Sequence, residues 1–149
     1  MGITTAMCNS FKKEILEGVH NLETDTLRVA LIKDEPAGTY DASTTNYSDL
    51  GADEASGTNY TADSANNNLD MTGTNVYLDT VAGVAYVDFP DLVFSNLTIS
   101  ADGAMIYNVS QSDKAIAVFN FGDTVTSTAG DFTVVFPSDN SSNAVIRIS

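Results

Sequence analysis

The side chains best suited to catalysis in this chain are its only histidine and its only cysteine. His20 has no cysteine or histidine at the spacing of a metal site, and it follows Gly18, which can end a helix in a left-handed turn. We therefore expect His20 to interact with the last carbonyls of that helix. Cys8 lies just before the same helix, and we interpret it as a packing residue, because a nucleophilic cysteine needs a lowered pKa.

Five carboxylates in a polar stretch could supply oxygen ligands to a calcium ion. They are Asp49, Asp53, Glu54, Asp63 and Asp70. Their order does not match the spacing of a helix–loop–helix calcium site, so we assign no metal ligand, and calcium binding by this stretch stays an open alternative. Paired carboxylates also serve glycosidases, but a chain with 20 acidic residues contains many pairs by chance.

Motifs that mark common enzyme classes do not occur in the sequence. It has no glycine-rich phosphate loop, no zinc-ligand spacing and no nucleophile elbow. We therefore predict no catalytic residue, no cofactor and no enzymatic activity. A glycan-active or calcium-dependent enzyme is the alternative from a different class.

Charge is the strongest compositional signal. The chain carries 20 acidic and 6 basic residues, for a formal net charge of −14, and after residue 60 its only bases are Lys114 and Arg147. Nucleic-acid binding needs several clustered bases, so we exclude it. No window approaches 18 consecutive apolar residues, so no membrane partner is expected. The acidity favours a solvated surface that resists aggregation, with cation or basic-partner binding as the alternative.

A short helix and a strand form the first segment, residues 1–33. Apolar residues at helical spacing predict a helix over residues 10–17, with Ser10 as its cap. These apolar residues are Phe11, Ile15, Leu16 and Val19. From Leu27 to Leu31, apolar and other side chains alternate, which indicates a half-buried strand.

A long polar loop, residues 34–75, follows, and we call it the arm. Loops of this length are uncommon in compact domains and usually have a function or lie across a partner. Its tyrosines argue against a free linker, because each brings a large apolar ring that seeks burial. We predict contacts with another copy or a partner protein at four apolar residues of the arm. They are Tyr40, Tyr47, Leu50 and Tyr60.

The third segment, residues 76–149, is dense in strand signals separated by turn residues. Predicted strands cover 76–78, 84–89, 92–100, 104–108, 115–121, 132–136 and 144–148. The predicted turns are Ala82-Gly83, Asp102-Gly103, 111–113, Gly122-Asp123, Ala129-Gly130 and 137–143. Together the segments predict a single domain over 1–149, mainly β, built as an antiparallel β-sandwich with one short N-terminal helix.

Several motifs occur in a familiar order. They are Phe11-Lys12, Gly18-Val19-His20, Leu27-x-Val29-Ala30-Leu31, Ser56 to Ala62, Ala85 to Phe89, Gly103-Ala104-x-Ile106-Tyr107-Asn108, Phe121-Gly122, Gly130 to Thr133 and Ile146-Arg147-Ile148. This series resembles a family of small structural proteins of tailed bacteriophages, some of which resemble capsid decoration, or cement, proteins. The resemblance covers nearly the whole chain, and Asn59-Tyr60 stands where that family has Gly-Tyr.

The resemblance implies a function without catalysis. We expect a virion structural protein on the capsid exterior that contacts the major capsid protein and forms a homo-oligomer, with a homotrimer favoured. The alternative is a phage tail protein or a receptor- or glycan-binding module.

Overall fold

The computed structural model describes residues 2–65, 69–138 and 140–149. Residues 66–68 of the arm and residue 139 of a predicted turn lie outside the described residues. The strands are β1 (Gly2–Ile3), β2 (Ala6–Met7), β3 (Leu27–Lys33), β4 (Thr39–Tyr40), β5 (Asn75–Asp79), β6 (Val84–Asp88), β7 (Leu92–Asn108), β8 (Lys114–Val134) and β9 (Arg147–Ile148). The helix α1 spans Asn9–Leu16, and single 3₁₀ turns span Tyr47–Asp49, Gly51–Asp53 and Val109–Gln111.

Antiparallel sheets make up most of the fold. The main sheet has the order β2-β8-β7-β3, the small sheet has the order β5-β6-β9, and β1 pairs with β4 in parallel. The chain is therefore mainly β with one helix in its described part, and the antiparallel sheets, which include a curled half-barrel, form the predicted sandwich-like fold. Within the described residues, no helix has both the length and the apolar character to cross a membrane.

One long hairpin, β7–β8, replaces four of the predicted strands. Three pairs of residues predicted as turns, at 102–103, 122–123 and 129–130, lie inside this hairpin, so those turn predictions are wrong. The strand register shifts between Ala101 and Gly103, and the backbone of Gly122 and Ala129 has positive φ. Bulges use the same residue types as turns, but they bend a ladder without ending it.

Gly103 allows the two strands of the hairpin to approach each other closely. A Cβ atom at this position would lie 2.2 Å from the carbonyl oxygen of Phe119 and 2.7 Å from Cδ1 of Ile3. Only a hydrogen fits there, which explains why the glycine lies within a strand.

The helix differs from its prediction at both ends. Cys8 occupies the N-cap without a side-chain bond, and Ser10 lies inside the helix rather than capping it. Leu16, expected on the buried face, is 87% exposed, whereas Phe11 is buried. Gly18 follows the helix with φ +72°, so the left-handed turn is confirmed.

The core joins side chains from all three segments of the chain. Its largest fully buried members include Tyr107, Phe11, Phe94, Leu31, Leu69 and Leu97. β3 is buried on more than the predicted face, since Ala30 and Ile32 are also fully buried. The arm therefore packs against its own chain and contributes to a shared core.

Replacing Gly103 by alanine tests the close approach in the hairpin. The added methyl group meets backbone, which cannot move aside cheaply, so we expect a loss of about 1–3 kcal/mol in the free energy of unfolding. Gly130→Ala is the matched control, because a Cβ there first meets Ser127 Oγ at 3.5 Å. Urea unfolding followed by circular dichroism measures the stability of both variants. Equal stabilities would contradict the close approach assigned to Gly103.

Candidate functional site

His20 lies in a buried network that holds the helix to β7. Its Nε2 donates to Glu14 Oε2 over 2.8 Å, and its Nδ1 accepts from Asn108 Nδ2 over 2.9 Å. The same amide nitrogen of Asn108 contacts Asp25 Oδ2 at 2.7 Å. The expected contact with helix carbonyls is wrong, because both ring nitrogens bond to side chains instead. His20 thus holds structural elements together.

Cys8 is a fully buried thiol. Burial, reinforced by the negative charges of Asp49 and Glu14, raises the pKa of Cys8 to about 12. The thiol is therefore protonated at neutral pH, and its environment does not activate a nucleophile. The packing interpretation agrees with this position.

The five carboxylates of the arm have different partners in the structure. Asp49 accepts from the backbone of Thr45 and Asn46, and Asp70 accepts from Nε of Arg28 over 2.6 Å. In the residues that the structure describes, no three His, Cys, Asp or Glu side chains are placed to hold a metal ion. Asp53, Asp63 and Asp70 attach the arm to basic residues outside it, whereas Asp49 and Glu54 bond to residues within the arm.

The arm runs along the outer edge of β3, where strand pairing ends. The backbone of Val29 donates to Leu69, the backbone of Met71 donates to Leu27, and the backbone of Ala55 donates to Leu31, over 2.8–2.9 Å. Between these contacts the N–H of Leu31 donates to the hydroxyl oxygen of Tyr60 over 2.9 Å. A side-chain hydroxyl therefore replaces the carbonyl that a neighbouring strand would provide.

Glu54 links two tyrosines of the arm, and we call these three residues and their bonds the tyrosine–carboxylate cluster. The hydroxyls of Tyr47 and Tyr60 donate to the two oxygens of Glu54, the second over 2.8 Å. Burial raises the pKa of Glu54, although both hydroxyl donors oppose the shift. The carboxylate is thus held in a half-buried position by two neutral donors.

Arg28 makes a second attachment beside this cluster. Its guanidinium contacts Asp63 Oδ1 at 3.0 Å in addition to Asp70, and the hydroxyl of Tyr107 donates to the same Asp63 oxygen over 2.7 Å. The rings of Tyr47 and Tyr107 stack with centroids 4.5 Å apart. The polar contacts and the stacked rings together fix the middle of the arm over β3 and β7.

Asp53 anchors the beginning of the arm. It accepts from Nζ of Lys33 over 2.7 Å, from the backbone of Ala37 and Gly38, and from the hydroxyl of Tyr40. The bond from Lys33 is the main reason that the pKa of Asp53 lies far below its usual range. Asp53 is therefore ionised whenever the chain is folded near neutral pH.

The four residues predicted to make intermolecular contacts are packed inside the chain. Tyr40 and Leu50 are buried, and the hydroxyls of Tyr47 and Tyr60 are engaged by Glu54. Their contact role with a coat protein or a second copy stays a prediction, since a single chain does not test it.

The small sheet carries surface residues that the sequence did not single out. Tyr77 and Tyr86 pair across β5 and β6 with ring centroids 5.6 Å apart, and Tyr77 is 45% exposed. Val76, Leu78 and Ile148 are exposed as well. Their strand-favouring residue types predicted strands, but residue type alone does not tell whether a second layer covers a face of the sheet.

Comparison with known protein families, with curated proteins and with solved structures found no match. The contacts described above define a β-rich unit whose arm is attached by tyrosines, carboxylates and two basic residues, Arg28 and Lys33.

Replacing Tyr60 by phenylalanine removes the hydroxyl that serves both Leu31 and Glu54. A buried backbone donor and a half-buried carboxylate then each lose a partner, so we expect a loss of about 1–3 kcal/mol in the free energy of unfolding. Tyr77→Phe is the control, because its ring is partly exposed, and it should change stability by less than about 0.5 kcal/mol. Urea titration measures the free energy of unfolding of both variants. Equal losses would show that the hydroxyl of Tyr60 has no special role in stability.

Alkaline pH should destabilise the chain through its buried tyrosines. Burial is the main reason that the pKa values of Tyr40, Tyr47, Tyr60 and Tyr107 are raised. Above the ordinary tyrosine pKa of about 10, the unfolded chain releases protons that the folded chain retains, so stability falls as pH rises. Urea midpoints should decrease above about pH 10, and less steeply in Tyr60→Phe. Ionisation of these tyrosines near pH 10 without loss of circular dichroism would contradict this.

Proposed function

We propose that this protein is a noncatalytic structural component of a tailed-phage virion that decorates and stabilises the outside of the capsid. The observation that carries the proposal is the motif series running from Phe11-Lys12 to Ile146-Arg147-Ile148, whose order resembles small phage structural proteins. Residues of these motifs build the fold, which suits a structural role. Gly103 permits the close approach in the hairpin, Tyr60 serves the edge of β3, and Asn108 binds His20.

The use of the basic residues supports the same role. All six are bonded within the chain: Lys12 to Asn9, Lys13 to Glu17, Arg28 to Asp63 and Asp70, Lys33 to Asp53, Lys114 to Glu14, and Arg147 to backbone oxygens of Ser141 and Ser142. The remaining carboxylates give the exterior a negative charge. Such a surface keeps copies soluble and prevents nonspecific adhesion on a crowded particle.

The proposed partners are the major capsid protein and other copies of this chain. Closed symmetry is the rule for homo-oligomers, and a homotrimer is favoured at the symmetric positions of a capsid. The paired strands of the β body and the internally bonded arm suit a component that has to keep its shape on a shell.

A tail protein or a receptor- or glycan-binding module is the second candidate function. The specific observation that favours it is the pair Tyr77 and Tyr86, which places two aromatic rings side by side on the small sheet. Aromatic side chains with one apolar face and one polar end are common in recognition surfaces. This pair was not anticipated from the sequence, in which the six tyrosines are scattered.

Binding to capsids that lack the protein tests the first proposal. We expect purified protein to bind these heads, to add density at symmetric positions on their exterior, and to raise the temperature at which they break, because a ligand of the intact shell stabilises it by mass action. An unrelated acidic protein of similar size and charge is the control. Electron microscopy and a thermal release assay provide the two measurements.

The same experiment separates the alternatives. Antibody labelling of tails instead of heads would transfer the assignment to the second candidate. Absence from both heads and tails would overturn the virion proposal altogether.

A further inference from the structure

The small sheet leaves one apolar face partly uncovered. In its register Leu78 lies opposite Ala85, and Ala85 lies opposite Ile148, so these three side chains form a row across all three strands. Leu78 is 65% exposed and Ile148 is 60% exposed. We call this row and the groove beside it the apolar face.

The groove lies where the segment after α1 meets the sheet. Its volume is about 440 Å³, and its apolar lining includes Ile15, Leu22, Val76, Val87, Ile146 and Ile148. Pockets of about 300–1,000 Å³ hold ligands of modest size, so this groove has room for a few side chains rather than for a whole helix. The row and the groove together form a surface suited to a short extended segment.

The charged residues around this surface are mainly acidic. Glu23 lines the groove, and an adjoining depression shares Glu23 and adds Asp25 and Asp70. Neither lining contains lysine or arginine. His20 lines the groove and interacts with Asp25, and Arg28 pairs with Asp70. The apolar centre is therefore bordered by carboxylates. Among the described residues Glu23 and Asp25 have no ion-pair partner, although Glu23 accepts from the backbone of Val76 and Asp25 accepts from Asn21, Asn108 and Gln111.

We propose that the apolar face docks a cationic segment of another protein, one that carries apolar side chains between lysines or arginines. The apolar side chains would fill the groove and cover Leu78 and Ile148, and the basic side chains would meet Glu23 and Asp25. Complementary charge decides between this partner and a second copy. Two copies would oppose the same carboxylates, and each has a net charge of −14 with every base already bonded internally.

The inference does not depend on the virion proposal, because it concerns only the chemistry of the occupant. A coat protein with such a segment would satisfy both. A basic partner of another kind would satisfy this inference alone, so the two proposals can fail separately.

Short synthetic peptides with leucines at the centre and lysines at both ends provide the probe. Two companion peptides carry glutamines or glutamates in place of the lysines. We expect the affinity, measured by calorimetry, to follow the order lysine, glutamine, glutamate. Binding of the lysine peptide should weaken as salt shortens the screening length from about 30 Å at 0.01 M to about 8 Å at 0.15 M.

Two neutral substitutions locate the binding surface. The double variant Leu78→Thr, Ile148→Thr removes apolar area without adding charge and should weaken binding of the lysine peptide by about tenfold or more. Val135→Thr is the matched control, since Val135 is 70% exposed and lies outside the groove. Circular dichroism verifies that each variant is folded. Glu23→Gln should reduce the affinity for the lysine peptide and leave that for the glutamine peptide unchanged.

Several results would overturn the inference. These are no binding of the lysine peptide, equal binding of the glutamate peptide, or an equal loss of affinity in Val135→Thr. Concentration-dependent self-association in sedimentation, abolished by the double variant, would assign the apolar face to a second copy and would also reject it.

Discussion

The outer edge of β3 presents backbone donors and acceptors that need partners, and the course of the arm is set by meeting them. The partners of Leu27, Val29 and Leu31 come from two widely separated parts of the arm, around residues 55–60 and around residues 69–71, so both parts are held at this edge. An uncovered edge is a site of aggregation, and proteins commonly cover it with a loop. The arm does so while it also completes the core through Leu50 and Leu69.

Most of the charged and phenolic groups in the interior make bonds that hold the arm in place. Glu54 is bonded to two hydroxyls, and Asp63 is shared between Arg28 and Tyr107. Such groups are costly to bury alone, and their satisfaction specifies one position of the arm. This division leaves the surface charge and the two faces of the small sheet as the features available for recognition.

Local patterns predicted the fold class well and the long-range contacts poorly. The alternation around Val29 and the glycine after the helix were sufficient to place β3 and the end of α1. The signal at Gly122 was ambiguous, because bulges and turns use the same residue types. The bond from Leu31 to Tyr60 joins residues far apart in sequence, and no local pattern encodes it. The amphipathic period also placed Leu16 on the buried face, although nothing in the described structure covers it.

The long β7–β8 hairpin has a consequence for the order of folding. Its strands are joined by the short connection around Val109–Gln111, so closing this hairpin costs little chain entropy. The pairing of β3 with β7 closes a much longer stretch of chain and costs more chain entropy. Until the arm lies against β3, that strand has an open edge, which an arm from another copy could cover equally well. At high concentration, exchange of arms between copies therefore competes with correct closure, and refolding yield should depend on dilution.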